Sequence, residues 1–398
     1  MAGNLHQRKR SRRIYLGNLA RGFFLILIII MILNLIIPDR DYSEGENRSL
    51  AKRPAFSPEA LADGDFFSDV DTWYSDQFVL RDSWMNLRFT AQKLQGKKET
   101  DGVYIGKDGY LMGRPEEADA DRNRRTIEAV NAFAVSHKNM HMTAVVVPAA
   151  ACIMTDKLPD DAPVYDQIGA IRNFTDQLDD TISVPDVISA LQDKSSDQLY
   201  YKTDHHWTTY GAYTAYVAAA NDIGADASER YMDYTVSDSF QGTMASRTGC
   251  RSSKDTIDVC EPIETDLQYV VTYPQTGEKS ASIFKRESLN QKDQYEVFFG
   301  GNYPTVEIQT TVNNGKSLLI FKDSFANSFV QFLLPFYERI TMVDPRYYYD
   351  NIDTLMSSEK VTDVLFLYSG DTLLDDQNLA DTLEAAKEPS GSAGGNRK

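Results

Sequence analysis

Apolar and polar positions along this chain follow two periods, one typical of helices and one typical of buried strands. The first apolar run covers residues 23–37 and is interrupted only by Asn34. Counted as residues 16–38 it can span a bilayer, for which about 20 residues suffice. Residues 67–94 carry apolar side chains at helical intervals. Residues 102–112, GVYIGKDGYLM, then predict a β-hairpin with KDG as its turn.

Helical and strand patterns alternate from there to the C-terminal region. Residues 121–138 suit an amphipathic helix, and residues 141–151 suit a buried strand that ends at Pro148. The alternation returns after residue 300 in the segments KSLLIFKDS, FANSFVQFLL, RITMVDPR and VTDVLFLY. Strands separated by helices of this length predict parallel βαβ units. We therefore expect an α/β fold with a mostly parallel central sheet and helices on both faces.

The pattern divides the chain into four predicted parts. They are a basic arm with a transmembrane anchor (1–38), a stalk with a helical lead-in (39–100), an α/β domain (101–385), and a small polar tail expected to be disordered (386–398). Periodicity is lost over residues 223–300, which we interpret as an insertion in the α/β domain.

The residues that flank the first apolar run predict its orientation in the membrane. Six basic residues precede it: Arg8, Lys9, Arg10, Arg12, Arg13 and Arg21. Such a cluster is retained in the cytoplasm, so the rest of the chain is predicted to be exported. A cleaved signal peptide is the alternative, but PDRD follows the run without a small-x-small cleavage site. We expect an uncleaved single-pass anchor in the cell membrane, with the α/β domain extracellular.

The net charge of the exported part argues against nucleic acid as a partner. The chain has 41 basic and 58 acidic residues, and residues 1–38 hold six of the basic and none of the acidic ones, so the exported part carries −23. Nucleic-acid binding depends on Lys and Arg contacts to phosphate, and this field would repel it. We expect no nucleic-acid partner.

The chain has three cysteines. Cys250 and Cys260 bracket a polar loop and can close a disulfide in an oxidising exterior. Two free thiols are the alternative, because bridging depends on geometry. Cys152 follows an apolar segment and is expected to be a small buried side chain rather than a nucleophile.

One candidate nucleophile lies where a predicted strand meets a helix. Residues 318–321 form an apolar strand that runs into Lys322, Asp323 and Ser324, and an amphipathic helix follows at once. Ligands bind at the carboxyl ends of parallel strands, and free backbone N–H groups at a helix start can stabilise an oxyanion. The alternative is that Ser324 is an ordinary helix N-cap.

A candidate base and its orienting carboxylate occur in TDHHW, residues 203–207. Asp204 and His206 are two residues apart, so on an extended segment their side chains point the same way. A carboxylate beside an imidazole is what a serine nucleophile needs from its base. The alternatives are part of a metal site and a polar turn before a helix.

These motifs carry a resemblance to known families. TDHHW with the downstream KDSF resembles the DHHW protein family and, more distantly, the SGNH-hydrolase-like domains of the alginate O-acetylation proteins. The segments ENRSLAKRP, SDQF with RD, GVYIGKDGYL and VDPRYY occur in the matching order. The resemblance implies a three-layer sandwich in which Ser324 is the nucleophile, His206 the base and Asp204 the orienting carboxylate. Lys322 departs from the glycine that precedes Asp-Ser in those proteins, which puts activity in question.

The SGNH name also implies donors for an oxyanion. Asn302 is the candidate that the sequence offers through its amide, helped by the backbone N–H groups of Gly301 and Ser324, although a Gly-Gly-Asn turn has an ordinary structural explanation. Arg346 lies after the strand that follows the serine, where it would suit an anionic sugar or pair with Asp344.

Together these features predict an extracytoplasmic serine O-acyl esterase or acetyltransferase that acts on a cell-surface or secreted polysaccharide. We expect it to use no metal or cofactor and to have a membrane-bound acyltransferase as its acyl donor. The alternatives are a non-catalytic glycan-binding or scaffold protein that keeps the hydrolase fold, and a metal-dependent phosphoesterase.

Overall fold

The computed structural model describes residues 2–43, 45–46, 48–263 and 266–385. The tail predicted to be disordered, residues 386–398, lies outside the described residues. The chain divides into two compact units, Met1–Thr90 and Ala91–Lys398. The boundaries predicted for the anchor, the lead-in and the α/β domain stay predictions.

The first unit consists of one long helix followed by short elements. These are α1 (Ala2–Ile36), β1 (Tyr42–Ser43), β2 (Arg48–Ser49), α2 (Pro58–Asp63), α3 (Asp65–Gln77) and α4 (Arg81–Leu94), the last of which continues into the second unit. Within α1, Arg12–Ile36 is long and apolar enough to cross a membrane, a property that signal sequences share.

A network of ion pairs holds the elements of the first unit together. Asp76 is buried at the end of α3 and accepts hydrogen bonds from Arg48 at 2.5 and 2.8 Å and from the Ala51 N–H at 2.9 Å. The bond from Arg48 outweighs the effect of burial and lowers the pKa of Asp76 to about 2. Arg81 pairs with Glu46 at 2.9 Å. The ENRS and SDQF–RD segments of the sequence are therefore structural motifs of this unit.

The second unit contains most of the strands. They are β3 (Glu99–Thr100), β4 (Val103–Ile105), β5 (Leu111–Gly113), β6 (His141–Val147), β7 (Ile182–Ser183), β8 (Tyr231–Phe240), β9 (Asp255–Pro262), β10 (Tyr269–Tyr273), β11 (Glu278–Ser280), β12 (Thr305–Thr310), β13 (Ser317–Lys322), β14 (Arg339–Val343) and β15 (Asp363–Ser369). Its α-helices are α5 (Ala120–Ser136), α6 (Ala150–Ile153), α7 (Gln167–Thr175), α8 (Val187–Asp193), α9 (Thr209–Ala219), α10 (Thr243–Thr248), α11 (Phe325–Phe329), α12 (Ile352–Glu359), α13 (Gly370–Leu373) and α14 (Asn378–Ala385).

Eight of the described strands form the main sheet, in the order β11-β10-β12-β14-β13-β15-β6-β7. The strands from β14 to β7 are parallel, while β12, β10 and β11 extend one edge in antiparallel fashion. The predicted α/β class with a mostly parallel sheet is confirmed. The region interpreted as an insertion, residues 223–300, contributes β10 and β11 to this sheet and forms a separate two-stranded antiparallel sheet of β8 and β9.

The predicted hairpin and first helix of this unit are also confirmed. Strands β4 and β5 pair in antiparallel register around a turn in which Asp108 and Gly109 have positive φ. Helix α5 begins at the cap Asp119, whose carboxylate accepts two backbone N–H groups. It packs on the sheet through Phe133, whose ring meets Phe321 and Phe366 edge to face.

The parallel register brings three strand ends to one edge of the sheet. Ser324 follows β13, Gly370 follows β15 and Ala149 follows β6. Because chain segments after parallel strands emerge at the same edge, this is where a site is expected. The TDHHW segment lies between α8 and α9.

Candidate active site

The serine after β13 does not act as a helix cap. Ser324 occupies the N-cap position of α11, but its side chain makes no capping hydrogen bond. Asp323 accepts the Phe325 N–H instead, at 2.9 Å, and also accepts the Ser369 N–H and hydroxyl at 2.9 and 2.7 Å. Asp323 thus ties the end of β13 to the end of β15, which leaves the Ser324 hydroxyl available for chemistry.

A buried carboxylate from β9 shapes the TDHHW loop. Asp255 accepts the Lys202 N–H at 2.8 Å and both the N–H and the hydroxyl of Thr203 at 2.8 and 2.6 Å. The Tyr201 N–H donates to the His206 carbonyl at 3.2 Å and closes the loop. The loop conformation therefore depends on a residue about fifty positions away in sequence.

Ser324, His206 and Asp204 lie together in hydrogen-bonded sequence. His206 Nε2 is 2.7 Å from Ser324 Oγ, and His206 Nδ1 is 2.5 Å from Asp204 Oδ1. Since a carboxylate only accepts, Nδ1 carries the proton and Nε2 is free to accept the serine proton. His206 and Asp204 are buried, while Ser324 is partly exposed. This is the geometry of a nucleophile, a base and an orienting carboxylate.

The second oxygen of Asp204 is held from the start of α10. Asp204 Oδ2 accepts the Thr243 N–H at 2.8 Å and the Thr243 hydroxyl at 2.9 Å. Burial raises the pKa of Asp204, but the imidazoles of His205 and His206 outweigh it and hold that pKa well below its usual value. Gly242 makes this approach possible, because a Cβ there would lie 2.2 Å from Asp204 Oδ2.

Two aromatic side chains fix the imidazole and the nucleophile turn. The ring of Tyr295 stacks on His206 with centroids 3.8 Å apart and planes 9° apart. Its hydroxyl donates to the Ser324 carbonyl at 3.0 Å. Trp207 donates from Nε1 to the Phe325 carbonyl at 3.0 Å. Both contacts join the base loop to the nucleophile turn.

The other histidine of TDHHW lies beside the base. The rings of His205 and His206 have centroids 3.8 Å apart, and His205 Nδ1 is 2.8 Å from the Thr243 hydroxyl oxygen. Burial opposes charge on His205, but Asp204 outweighs it and raises the pKa of His205. Burial and the neighbouring His205 together lower the pKa of His206 to about 4, against the opposing effect of Asp204.

This pKa predicts a base that is active well into the acid range. With a His206 pKa of about 4, the imidazole is neutral above that pH, so kcat/KM for ester cleavage should fall only as pH drops through about 4. His205→Asn removes the neighbouring cation, so it should raise the pKa of His206 and move this acid limb to higher pH. Rate–pH profiles, with circular dichroism at each pH, measure the limb. An unchanged limb in the variant would contradict the coupling.

A metal ion bound by the TDHHW segment would compete with contacts that its side chains already make. Ligand atoms of Asp204, His205 and His206 lie within 4.8 Å of one another, close enough to share an ion. Both ring nitrogens of His206 are already engaged, one by Asp204 and one by Ser324. An ion bound by His206 would have to displace one of these contacts.

The candidate oxyanion donors lie in a different set of contacts. Lys322 Nζ donates to Asn302 Oδ1 at 2.9 Å and to Asn327 Oδ1 at 3.0 Å, and Gly301 lies near Glu296. No contact among the described residues joins Asn302 or Gly301 to Ser324. The Ser324 N–H makes no hydrogen bond within the described part of the chain, so it is the better candidate.

Arg346 forms an ion pair with Asp344, the residue that follows β14. Its Nε and Nη2 donate to the two oxygens of Asp344 at 2.8 and 2.6 Å. Of the two roles considered for Arg346, pairing with Asp344 is the one observed. Asp344 is fully buried and also lies 3.6 Å from Lys322 Nζ.

The Lys322 ammonium group is held by three side chains, none of which belongs to the Ser324–His206–Asp204 set. Its Nζ contacts Asn302, Asn327 and Asp344, and burial lowers the pKa of Lys322 to about 8 although Asp344 favours the charged form. These contacts do not support the expectation that a lysine at this position hinders access to Ser324.

Replacing this lysine tests that conclusion. Lys322→Met leaves Asp344 paired with Arg346 alone, so we expect the free energy of unfolding to fall by about 3 kcal/mol, at the lower end of the range for broken buried pairs. Ester cleavage by the folded protein should change little. Urea unfolding and initial rates measure the two effects. Loss of activity without loss of stability would mean that Lys322 acts on the reaction.

The predicted disulfide is not formed in this structure, in which Cys250 and Cys260 are free thiols. Cys250 Sγ lies 3.4 Å from the Ser252 hydroxyl, and Cys260 Sγ donates to Asp233 Oδ1 at 2.9 Å. Cys260 belongs to the β8–β9 ladder, whereas Cys250 follows α10, so each thiol has its own surroundings. Burial raises the pKa of Cys152 to about 12, consistent with a side chain that is no nucleophile.

A cavity of about 380 Å³ opens beside the base loop. Asp204 and His205 line it, together with Ala149 and Gly370 at the ends of β6 and β15. Further charged side chains line it: Glu116, Glu117, Asp371, Asp375, Arg114 and Arg247. A ligand in this cavity would therefore contact the base loop at the sheet edge.

Two family models match the chain. Residues 103–290 match the SGNH hydrolase-like domain of the acetyltransferase AlgX, and residues 46–125 match the DHHW protein model. The chain is similar to both families. The resemblance expected from TDHHW and KDSF is confirmed.

Curated relatives and solved structures agree with this similarity. Probable alginate O-acetylases AlgJ from Pseudomonas syringae pv. tomato and Pseudomonas aeruginosa are 26% and 24% identical, over 45% and 46% of this chain. The matches span 46% and 49% of those relatives, less than half of their length.

The solved structures establish the likeness of fold. A DHHW family protein from Eubacterium siraeum is 23% identical, with a TM-score of 0.61, over 72% of this chain and 96% of that one. PatB1 from Bacillus cereus, solved with a sulfonyl adduct, is 19% identical, with a TM-score of 0.58, over 70% and 97%. The SGNH-hydrolase-like fold expected from the sequence is confirmed.

Proposed function

We propose that this protein is an extracytoplasmic serine O-acetyl esterase or acetyltransferase that acts on a polysaccharide and is anchored in the membrane by α1. The observation that supports it most is the unbroken contact from Asp204 through His206 to Ser324. The AlgX and AlgJ similarities support O-acetyl chemistry on a polysaccharide. The apolar Arg12–Ile36 segment supports the anchor.

The reaction follows from the protonation states of the three side chains. Ser324 Oγ attacks the acetyl carbonyl carbon while its proton passes to His206 Nε2, and Asp204 stabilises the imidazolium that forms. The imidazolium returns the proton to the departing sugar oxygen, which leaves an acetylated Ser324. Water, or a sugar hydroxyl in transfer, then attacks this ester, and His206 takes and returns the proton a second time. In the transfer direction a membrane-bound acyltransferase would supply the acetyl group.

The Ser324 N–H is the proposed donor to the tetrahedral oxyanion. It belongs to the nucleophile itself and has no partner among the described residues, so it needs no rearrangement to donate. A donor that is already in place and unpaired stabilises charge as it develops.

The charged side chains that line the cavity predict which kind of polysaccharide the protein prefers. Besides Asp204, four carboxylates line it against two guanidinium groups, and one of these, Arg247, already donates to the Asp101 carbonyl. We expect this protein to remove acetyl groups faster from a neutral glycan such as acetylated xylan than from acetylated alginate, a polyanion, at low salt. Added salt should narrow the difference, because it screens exposed charges. The rate of acetate release from each glycan, at low and at high salt, measures the preference and its salt dependence. A preference for the polyanion at low salt would contradict the charge argument.

The proposed activity is tested by trapping the nucleophile. The purified protein is incubated with phenylmethylsulfonyl fluoride, and intact mass and peptide mapping locate the adduct. We expect one sulfonyl group, on Ser324, together with loss of acetate release from p-nitrophenyl acetate. Ser328, one turn later and bonded to Trp207 at 2.9 Å, is the internal control and should stay unmodified.

The alternative proposals predict different results. A non-catalytic glycan-binding protein would bind acetylated glycan but release no acetate and take up no sulfonyl group. A metal-dependent phosphoesterase would lose its activity with a chelator and would cleave a phosphate ester. Either outcome would overturn the serine mechanism.

A further inference from the structure

The turn between α3 and α4 lies against α1 within the apolar run. The Val79 N–H donates to Asn34 Oδ1 at 2.8 Å, and Asn34 Nδ2 donates to the Ile30 carbonyl at 3.0 Å. Asn34 is two residues before the end of α1, about 3 Å along the helix axis. The polar residue that interrupts the apolar run thus has a structural role, which is to bind this turn.

On either side of the turn, the contacts move to the chain that follows α1. The Arg40 N–H donates to Gln77 Oε1, and Gln77 Nε2 donates to the Arg40 carbonyl, both at 2.9 Å. Asp82 accepts from the Arg40 guanidinium at 3.4 Å. Residues 78–80 are therefore the part of the α3–α4 pair that reaches furthest back along α1.

Both backbone polar groups of Val79, the middle residue of the turn, are hydrogen-bonded within the protein. The Val79 N–H is bound by Asn34, and the Val79 carbonyl accepts from Trp84 Nε1 at 3.1 Å. Unsatisfied backbone groups are costly at the depth of the bilayer, so satisfied ones are what a membrane-facing turn requires.

An apolar stripe continues from the turn along α4. Leu80, Trp84 and Leu87 are 66%, 44% and 56% exposed. Their spacing of four and then three residues places them on one helical face. Arg88 follows Leu87 on the same helix, while Arg81 is already paired with Glu46. Apolar and aromatic residues on one face with basic neighbours are typical of helices that lie in a membrane interface.

We propose that residues 78–80 and the Leu80–Trp84–Leu87 face of α4 lie in the outer interface of the lipid bilayer, as a second membrane contact beside the anchor. The occupant is lipid because the turn is bonded to α1 inside its apolar run, so a bilayer that surrounds α1 also surrounds the turn. In water the same stripe would stay exposed, which folded proteins avoid for contiguous apolar patches. This inference rests on the proposed anchor and not on the proposed chemistry.

Depth measurements on the full chain test it. The protein is reconstituted in phosphatidylcholine vesicles, and nitroxide labels are placed by Leu80→Cys, Leu87→Cys and, as a control, Phe67→Cys. Phe67 is matched in exposure to Leu80, at 65%, but lies near the far end of α3, about 15 Å along the helix from Gln77. The unsubstituted protein reports any labelling of the native cysteines. Collision with oxygen and with a water-soluble nickel chelate is measured for each label.

We expect the ratio of oxygen to nickel accessibility to be severalfold higher at positions 80 and 87 than at position 67. Equal ratios would place the turn in water and overturn the proposal. If the labels at positions 80 and 87 are shielded from both reagents and show spin–spin broadening, the stripe packs against a second copy of the chain. That result would also overturn the proposed lipid contact. Flotation of the same vesicles reports on the anchor separately, because chain that does not float contradicts the anchor rather than the turn.

Discussion

Replacing Ser324 with alanine is expected to lower kcat/KM for an acetyl ester by about 10⁴-fold or more, because the attacking oxygen is removed. The fold should persist. The Ser324 hydroxyl caps no helix and is partly exposed, so its loss should cost about 1 kcal/mol of the free energy of unfolding or less. Steady-state rates and urea unfolding of the same preparation measure the two quantities.

The matched control is Ser328→Ala in the same helical segment. Its hydroxyl contacts Trp207 and Tyr295 and lies outside the chain of bonds from Asp204 to Ser324. We expect a loss of about 1–2 kcal/mol in stability and less than a tenfold loss in rate. Full activity in Ser324→Ala would remove Ser324 as the nucleophile, whatever the control shows.

Asp204→Asn is the second substitution with a large expected effect. The carboxylate accepts from His206 Nδ1 on one oxygen and from Thr243 on the other, so an amide must place its NH₂ group toward a donor on one side. An NH₂ group facing Nδ1 favours the tautomer in which Nε2 carries the proton and cannot accept the one on Ser324. We expect kcat to fall by about 10³–10⁴-fold, comparable to the effect of such a change in a serine protease.

Gly242→Ala provides an independent test of the same carboxylate. A Cβ at position 242 would lie 2.2 Å from Asp204 Oδ2, so the carboxylate must shift while its charge is kept. Misplacement of about 1 Å can cost about 10²-fold in rate, and we expect a loss of that size. If Asp204→Asn and Gly242→Ala both stay fully active, Asp204 does not orient the base. Circular dichroism of both variants controls for unfolding.

Much of the site was predictable from short stretches of sequence. Asp204 and His206 are two residues apart, so their proximity is a local property of the chain. Ser324 follows an apolar strand and precedes a helix, which is enough to locate it at the carboxyl end of a parallel strand. That His206 belongs with Ser324 rested on the resemblance, because 118 residues separate them.

Three residues that build the site had no signal in the sequence. Thr243, Asp255 and Tyr295 come from residues 223–300, whose lost periodicity suggested only an insertion. Each acts through one contact with a distant loop, and a single threonine, aspartate or tyrosine in an irregular segment is ordinary. A family motif around these residues would be the signal to look for.

Four features could be inferred from the residues alone: the apolar N-terminal helix, the α/β class, the β4–β5 hairpin and the adjacency of Asp204 to His206. These depend on hydrophobic periodicity and on residues close in the chain, so local physics specifies them. The packed fold was needed to show that Lys322 extends toward Asp344, that Asn302 accepts from Lys322, and that Cys250 and Cys260 have separate partners. The direction of a side chain at a strand end depends on what neighbouring strands and loops present to it. That is a property of the packed sheet rather than of any segment.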